Sequence, residues 1–268
     1  MVDTTFSRFV YPDTNILGII ADDLTKWKPL QDFLHGNDLC IALSIGQASE
    51  LSDVRRLHQN LNTILTAVPT IITKTPDEIL EQEVNFYPKV RKTNIVGGYL
   101  NEFFMTDRLE EFLSSGDLAA ARVSQRETSF QMPSRLEELK QNFPPRYDGT
   151  YDEDQADEFV FKYTLQQLSP LYLSFLSKFR ENASELNIQP FLSLAITGYV
   201  IFYKYCIHGK NPIPSDFGDL FHLFVIPYCE LALLERDLCN VLNHIKKNHT
   251  ILDNTIVKNV EFFNDWFI

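Results

Sequence analysis

Only four of the 268 residues are cysteine: Cys40, Cys206, Cys229 and Cys239. None stands in a CxxC pair, so the chain shows neither a zinc spacing, a redox couple nor a disulfide framework, and reduced core thiols are expected. Methionine is scarcer still, three against 21 phenylalanines, which points to a rigid aromatic core. Apolar runs of about 18 residues or more are missing, so no membrane-spanning helix is expected. The opening "MVDTTFSRFV" has neither the basic nor the long apolar stretch of a secretory signal, and the expected location is cytoplasmic. GxGxxG after a strand, GxxxxGK[ST], HExxH and GxSxG are absent too, so dinucleotide, nucleotide-triphosphate, zinc-protease and serine-hydrolase readings lose their usual support. Positive charge is also short: 24 Lys and Arg face 36 Asp and Glu, a net charge of −12. That balance argues against wholesale electrostatic binding of nucleic acid but leaves room for a local basic groove. The small clusters "DVRRLH", "YPKVRK" and "HIKKNH" are equally the solvated faces of helices.

What is present is enough apolar residue, 44%, for a substantial core, and three textures along the chain. Residues 1–75 alternate short strand-like runs ("FSRFVY", "DLCIALSIGQ", "AVPTIIT") with a helix whose Leu24, Trp27, Leu30 and Leu34 share a face and which Gly36 stops. Strand, helix, strand in that order predicts a parallel βαβ unit and an α/β fold. Residues 76–210 read as mostly helical. "TPDEILEQEV" opens on a Thr cap with Pro76 in its first turn, "DRLEEFLSSG" and "SRLEELKQNF" follow, and "FVFKYTLQQLSPLYLSFLSKFREN" reads as one long helix. "PFLSLAITGYVIFYKYCI" is apolar nearly all round and predicts a buried helix, and "FPPRYDGTYDEDQADE" predicts a mobile loop. Residues 211–268 return to the α/β texture, with a strand at "CELALL" and a final strand with a helical stub in "TIVKNVEFFNDWFI".

Acids stand where strands end or helices begin. Asp13 follows the first strand, Glu50 the second, and Asp237 the strand "CELALLE"; Asp219, with Asp216 one turn before it, opens a helix. In an open parallel sheet these carboxyl ends share one crevice. Clustered carboxylates repel one another unless a cation sits among them, and an all-oxygen ligand set suits Mg²⁺ or Mn²⁺. Such ions can orient phosphate and acidify a bound water, which is the chemistry of phosphodiester hydrolysis. His222, one turn after Asp219, reads as a packed residue. His244 and His249, five apart, do not share a helix face and predict no zinc site. "DGTYDEDQADE" misses the spacing of a calcium loop and reads as a solvated acidic loop.

"YPDTNILGII" resembles the opening motif of PIN-domain nucleases. "LSIGQASELSDV" resembles their second motif, and "DLFHLFVIPYCELALLERD" their closing half. The resemblance implies a single domain over 1–268. Its expected form is a three-layer α/β/α sandwich, with a mainly parallel sheet built from about 1–75 and 211–268 and a large helical insertion at 76–210. It implies that Asp13, Glu50, Asp219 and Asp237 are catalytic and hold Mg²⁺ or Mn²⁺, with Asp216 competing with Asp219 for the third place. Thr14 or Asn15 would organise the acids, and Glu235 would assist. Glu235 stands where the family often has threonine, which is a departure. RNA is the implied substrate ahead of DNA, with Arg55, Arg56, Arg236, Lys246 and Lys247 as candidate phosphate contacts. The helical segment would select substrates, dock a partner or support a homodimer. Two rival expectations are a PIN-like binding or scaffold protein without turnover and a small-molecule phosphohydrolase.

Overall fold

The computed structural model describes residues 8–91, 93–99, 116–146, 149–182, 185–213 and 216–259. Strand β1 (Phe9–Pro12) leads into α1 (Thr14–Asp22) and α2 (Trp27–Gly36); β2 (Cys40–Leu43) leads into α3 (Ile45–Ser52) and α4 (His58–Ala67). Then come β3 (Thr70–Thr73), α5 (Pro76–Phe86), β4 (Val96–Tyr99), α6 (Gly116–Asn142), α7 (Ala156–Leu168) and the short α8 (Leu173–Leu176). Helix α9 (Leu192–Ile201) continues as a π-helical turn over Phe202–Ile207 and is followed by α10 (Asp216–His222), β5 (Leu231–Leu234), α11 (Arg236–Asn248) and β6 (Ile256–Asn259). The six strands form one sheet in the order β4-β3-β2-β1-β5-β6, parallel throughout except for the edge strand β4.

Alternation along the strands divides the core in two. Phe9, Tyr11, Cys40, Ala42, Ile71, Ala232 and Leu234 face one way; Val10, Ile41, Leu43, Leu231 and Leu233 face the other. Successive strand side chains point to opposite faces, so each face needs its own cover. The second set is covered by α1, α2, α3 and α4 through residues such as Ile16, Leu30 and Leu61. The first is covered by α5, α6, α7, α9, α10 and α11, through residues such as Ile79, Phe159, Phe202 and Leu242. The result is an α/β protein with helices on both faces of a mostly parallel sheet. Residues 76–210, expected as an insertion, supply most of one helical layer and the edge strand β4.

Local chemistry sets the boundaries. Thr75 and Glu78 form the capping box that starts α5, with Pro76 in its first turn. The long helix expected over 159–182 breaks after Leu168. Pro170 lacks an N–H and cannot continue the i→i−4 ladder, although Ser169 itself keeps helical backbone and its amide donates to the Leu165 carbonyl at 3.0 Å. In the expected loop, Tyr151 donates to the Phe143 carbonyl at 2.9 Å and stacks on the Phe143 ring, so part of this segment is tied down. The expected helix over 107–115 and the stub after β6 lie outside the described residues. None of the four cysteines is in a disulfide, and all are buried. Among the described residues no helix is long and apolar enough to cross a membrane.

Helices α7 and α9 meet at Gly198, where an added Cβ would lie 3.0 Å from Tyr163 Cδ1 and 3.3 Å from Val160 Cγ2. A branched side chain has no room there. Gly198→Val is expected to lower stability by about 2 kcal/mol through overpacking, read as a lower urea midpoint at unchanged m.

Candidate functional site

The strand order reverses direction between β1 and β5, which pair directly through Val10 and Leu231. In an open parallel sheet the crevice forms at such a switch point, at the carboxyl ends of the strands. Asp13 follows the last residue of β1 and Glu235 the last residue of β5. Asp13 is further pinned by its own amide, which donates to the Leu233 carbonyl at 2.8 Å. Each of these acids is the N-cap of the next helix, yet neither side chain makes the usual cap hydrogen bond. An Asp in that position ordinarily bonds the first-turn amides.

Asp13 is half-buried, and burial pushes its carboxyl up to about 6. The charges of Glu235 and Asp219 add to the rise, while His222 and the Thr14 amide oppose it. Asp219, also half-buried, is raised for the same leading reason, with Lys204 and His222 opposing and Asp216 and Glu235 adding. Glu235 is exposed and accepts from Asn15 Nδ2. These three carboxylates therefore act on one another across the crevice.

Glu50 is set deeper in its helix than its sequence position suggested. Ser44 and Gln47 form a capping box that starts α3 at Ile45, so Glu50 falls in the second turn, not at the opening. Gln47 Nε2 also donates to the Pro12 carbonyl, tying α3 to the end of β1. Thr14 Oγ1 donates to Glu50 Oε2 at 2.6 Å, and His222 Nε2 stands 3.4 Å from Oε1. Burial opposes the ionised form of Glu50, but the bonds from His222 and Thr14 outweigh it and hold the carboxyl below its usual range. His222 is buried as expected, with its ring 6.1 Å from that of Tyr11 and its Nδ1 3.3 Å from Ser44 Oγ. It is also a partner of Glu50, which packing alone did not anticipate.

Of the two candidates on α10, Asp216 is fully engaged. Lys204 Nζ donates to its Oδ1 at 2.6 Å and the Ile213 amide to its Oδ2 at 3.0 Å. Asp219 Oδ2 lies 3.5 Å from the same lysine, and among the described residues its carboxylate makes no shorter contact. Asp237 is the second residue of α11 and exposed, paired with Lys210 at 2.7 Å, and that bond lowers its carboxyl. Because β5 ends at Leu234, Glu235 occupies the strand-end place that Asp237 was expected to fill.

A cavity of about 460 Å³ joins Asp13, Asp216, Asp219, Glu235 and Asp237, with Lys204 and Lys210 in its wall. Neither lysine was anticipated. The available signal was Lys204 itself, a lone cation inside "YVIFYKYCI". The expected phosphate contacts are mostly elsewhere. Arg56 pairs with Asp22 at the far end of α1, and Arg55 is its neighbour. Lys246, bonded to the Thr255 carbonyl at 2.6 Å, and Lys247 lie in the last turn of α11, about 15 Å along the helix from its start. Arg236 alone begins at the crevice.

Among the described residues no three His, Cys, Asp or Glu side chains converge closely enough to hold a metal ion. The donor chemistry suits a hard cation, since Asp13, Asp219 and Glu235 carry like charges that repel one another. No family model, characterised protein or solved structure matches the chain.

Proposed function

We propose that the crevice is a cation-dependent site for cleaving phosphodiester bonds, of PIN-domain type, acting on nucleic acid with RNA ahead of DNA. The same proposal takes the fold as PIN-like with 76–210 inserted in it. The observation that supports it is Asp13, half-buried at the switch point and raised to about 6 beside Asp219 and Glu235. Mg²⁺ or Mn²⁺, when bound, would supply positive charge to phosphate oxygens and acidify water. Asp13, Asp219 and Glu235 would hold that charge. Thr14 and Asn15 orient Glu50 and Glu235 through the bonds described above. Lys210, at the exposed rim, can exchange Asp237 for a substrate phosphate.

A second reading, a binding or scaffold protein without turnover, is favoured by a different observation. Lys204 and Lys210 already answer three of the acids, and the rest do not converge.

End-labelled single-stranded RNA and DNA, incubated with Mn²⁺, Mg²⁺ or EDTA, separate the two. Cleavage by the wild type that stops in EDTA and falls by about 100-fold or more in Asp13→Asn supports the nuclease. Asp13→Asn also has a stability signature. Its folded carboxyl is raised, so the native state binds more protons than the unfolded chain and stability falls as pH climbs from about 4 to about 6. The asparagine variant is therefore expected to be the more stable protein at neutral pH. The gain should vanish below about pH 3, under both values. Uncut substrates together with a melting temperature indifferent to Mn²⁺ would leave the scaffold reading.

A further inference from the structure

Helix α11 runs from the crevice to the opposite end of the sheet, about 20 Å away. There a second cavity of about 730 Å³ opens between α9, the loop at 185–189, the start of α7 and the chain just after α11. Its size lies in the range of small-molecule sites. Leu186, Ile188, Leu192, Ala195 and Ile251 supply apolar surface. Asp157 and Glu185 supply two carboxylates, and among the described residues no lysine or arginine lines it.

We propose that this cavity binds a small organic cation, a protonated amine carried on an apolar body.

The negative charge is fixed in place without being cancelled. Asp157 Oδ1 accepts from Tyr199 OH at 2.7 Å and lies 3.2 Å from His249 Nδ1. The His249 ring stacks on Tyr199 with centroids 4.0 Å apart, and its Nε2 is 3.1 Å from Tyr203 OH. A neutral imidazole satisfies both contacts, donating from Nδ1 to Asp157 and accepting at Nε2 from Tyr203. Burial lowers the pKa of His249, which favours that neutral form. Asp157 is thus oriented by uncharged donors and keeps its charge for a ligand. An anion would meet two carboxylates, and a fully polar cation would leave the apolar surface unused. A charge-assisted hydrogen bond is about twice as strong as a neutral one, so the ammonium is the discriminating group.

Three probes of nearly equal shape test this: phenethylammonium, phenethyl alcohol and phenylacetate, followed by titration calorimetry and saturation-transfer NMR. Saturable binding of phenethylammonium is expected, with the alcohol weaker by about tenfold and phenylacetate not bound. Asp157→Asn, at an exposed side chain, should weaken the ammonium by about tenfold. Ala195→Phe, which fills the cavity, should abolish binding with the circular dichroism spectrum unchanged. Asp13→Asn should bind the probe like the wild type, because the crevice is a separate acidic site. No saturable binding, equal affinity for alcohol and ammonium, no loss in Asp157→Asn, or loss in Asp13→Asn would each overturn the proposal.

Discussion

Glu83→Leu is expected to lower the unfolding free energy by about 3–5 kcal/mol, because it leaves several buried donors unsatisfied at about 1–3 kcal/mol each. Glu83 is buried at 1% exposure on α5 and receives three donors: the Ser193 amide at 2.8 Å, Ser193 Oγ at 2.7 Å, and Tyr228 OH. It thereby joins α5 to the start of α9 and to the turn before β5. Leucine fills a similar volume but leaves all three donors without an acceptor in a site closed to water. Glu83 also carries a pH signature. Burial pushes its carboxyl up to about 7, against the opposing bonds from Tyr228 and Ser193. The folded state therefore holds its proton where the unfolded chain has released it, and stability falls as pH rises from the ordinary value of 4.5 to about 7, then levels. Glu83→Gln keeps the shape and cannot titrate, so its contribution over that interval should be flat. Urea denaturation at several pH values reads both effects. A wild type and a glutamine variant with parallel curves would show that Glu83 ionises in the fold as freely as in the unfolded chain.

Much of this architecture is legible in the sequence because it follows from period and punctuation. The apolar runs at 9–12, 40–43 and 231–234 alternate their faces as strands must, and Asp13 ends its strand where the motif "YPDTN" places it. What escaped local reading was set by distant partners. Whether Glu235 or Asp237 takes the strand-end place depends on where β5 stops, and that is decided by its pairing with β1 and β6. The depth of Glu50 depends on the box between Ser44 and Gln47, which lengthens α3 at its start. The helical middle reads as an addition when taken alone. Yet Phe9, Tyr11, Cys40 and Ala42 need cover on their own side of the sheet, and the helices from that segment supply much of it. Lys204 could have been singled out, since a lone ammonium in an apolar helix requires an acid nearby. Which acid it meets depends on how the π-helical turn aims it toward α10.

That lysine gives the second large effect. Lys204→Met should cost about 3 kcal/mol of stability at neutral pH, because it leaves a buried carboxylate without its cation. Lys204 and Asp216 have side chains only 15% and 11% exposed, so solvent offers Asp216 little compensation. The Ile213 amide would still donate to it, but an amide does not neutralise the charge. Asp219 would lose the larger of its two opposing charges too, and Asp13, Asp219 and Glu235 would repel one another with less restraint. The cavity wall sets five carboxylates against two lysines, and the variant sets them against one. A crevice able to take a divalent ion should respond by taking it more readily. Mn²⁺ is then expected to restore much of the lost melting temperature in Lys204→Met and to raise that of the wild type less. If the loss is the same with Mn²⁺ and with EDTA, the acids are structural partners of Lys204 and Lys210, and the crevice is not a metal centre. Recovery in Mn²⁺ without strand cleavage would separate the two halves of the proposal, retaining the cation and removing the nuclease.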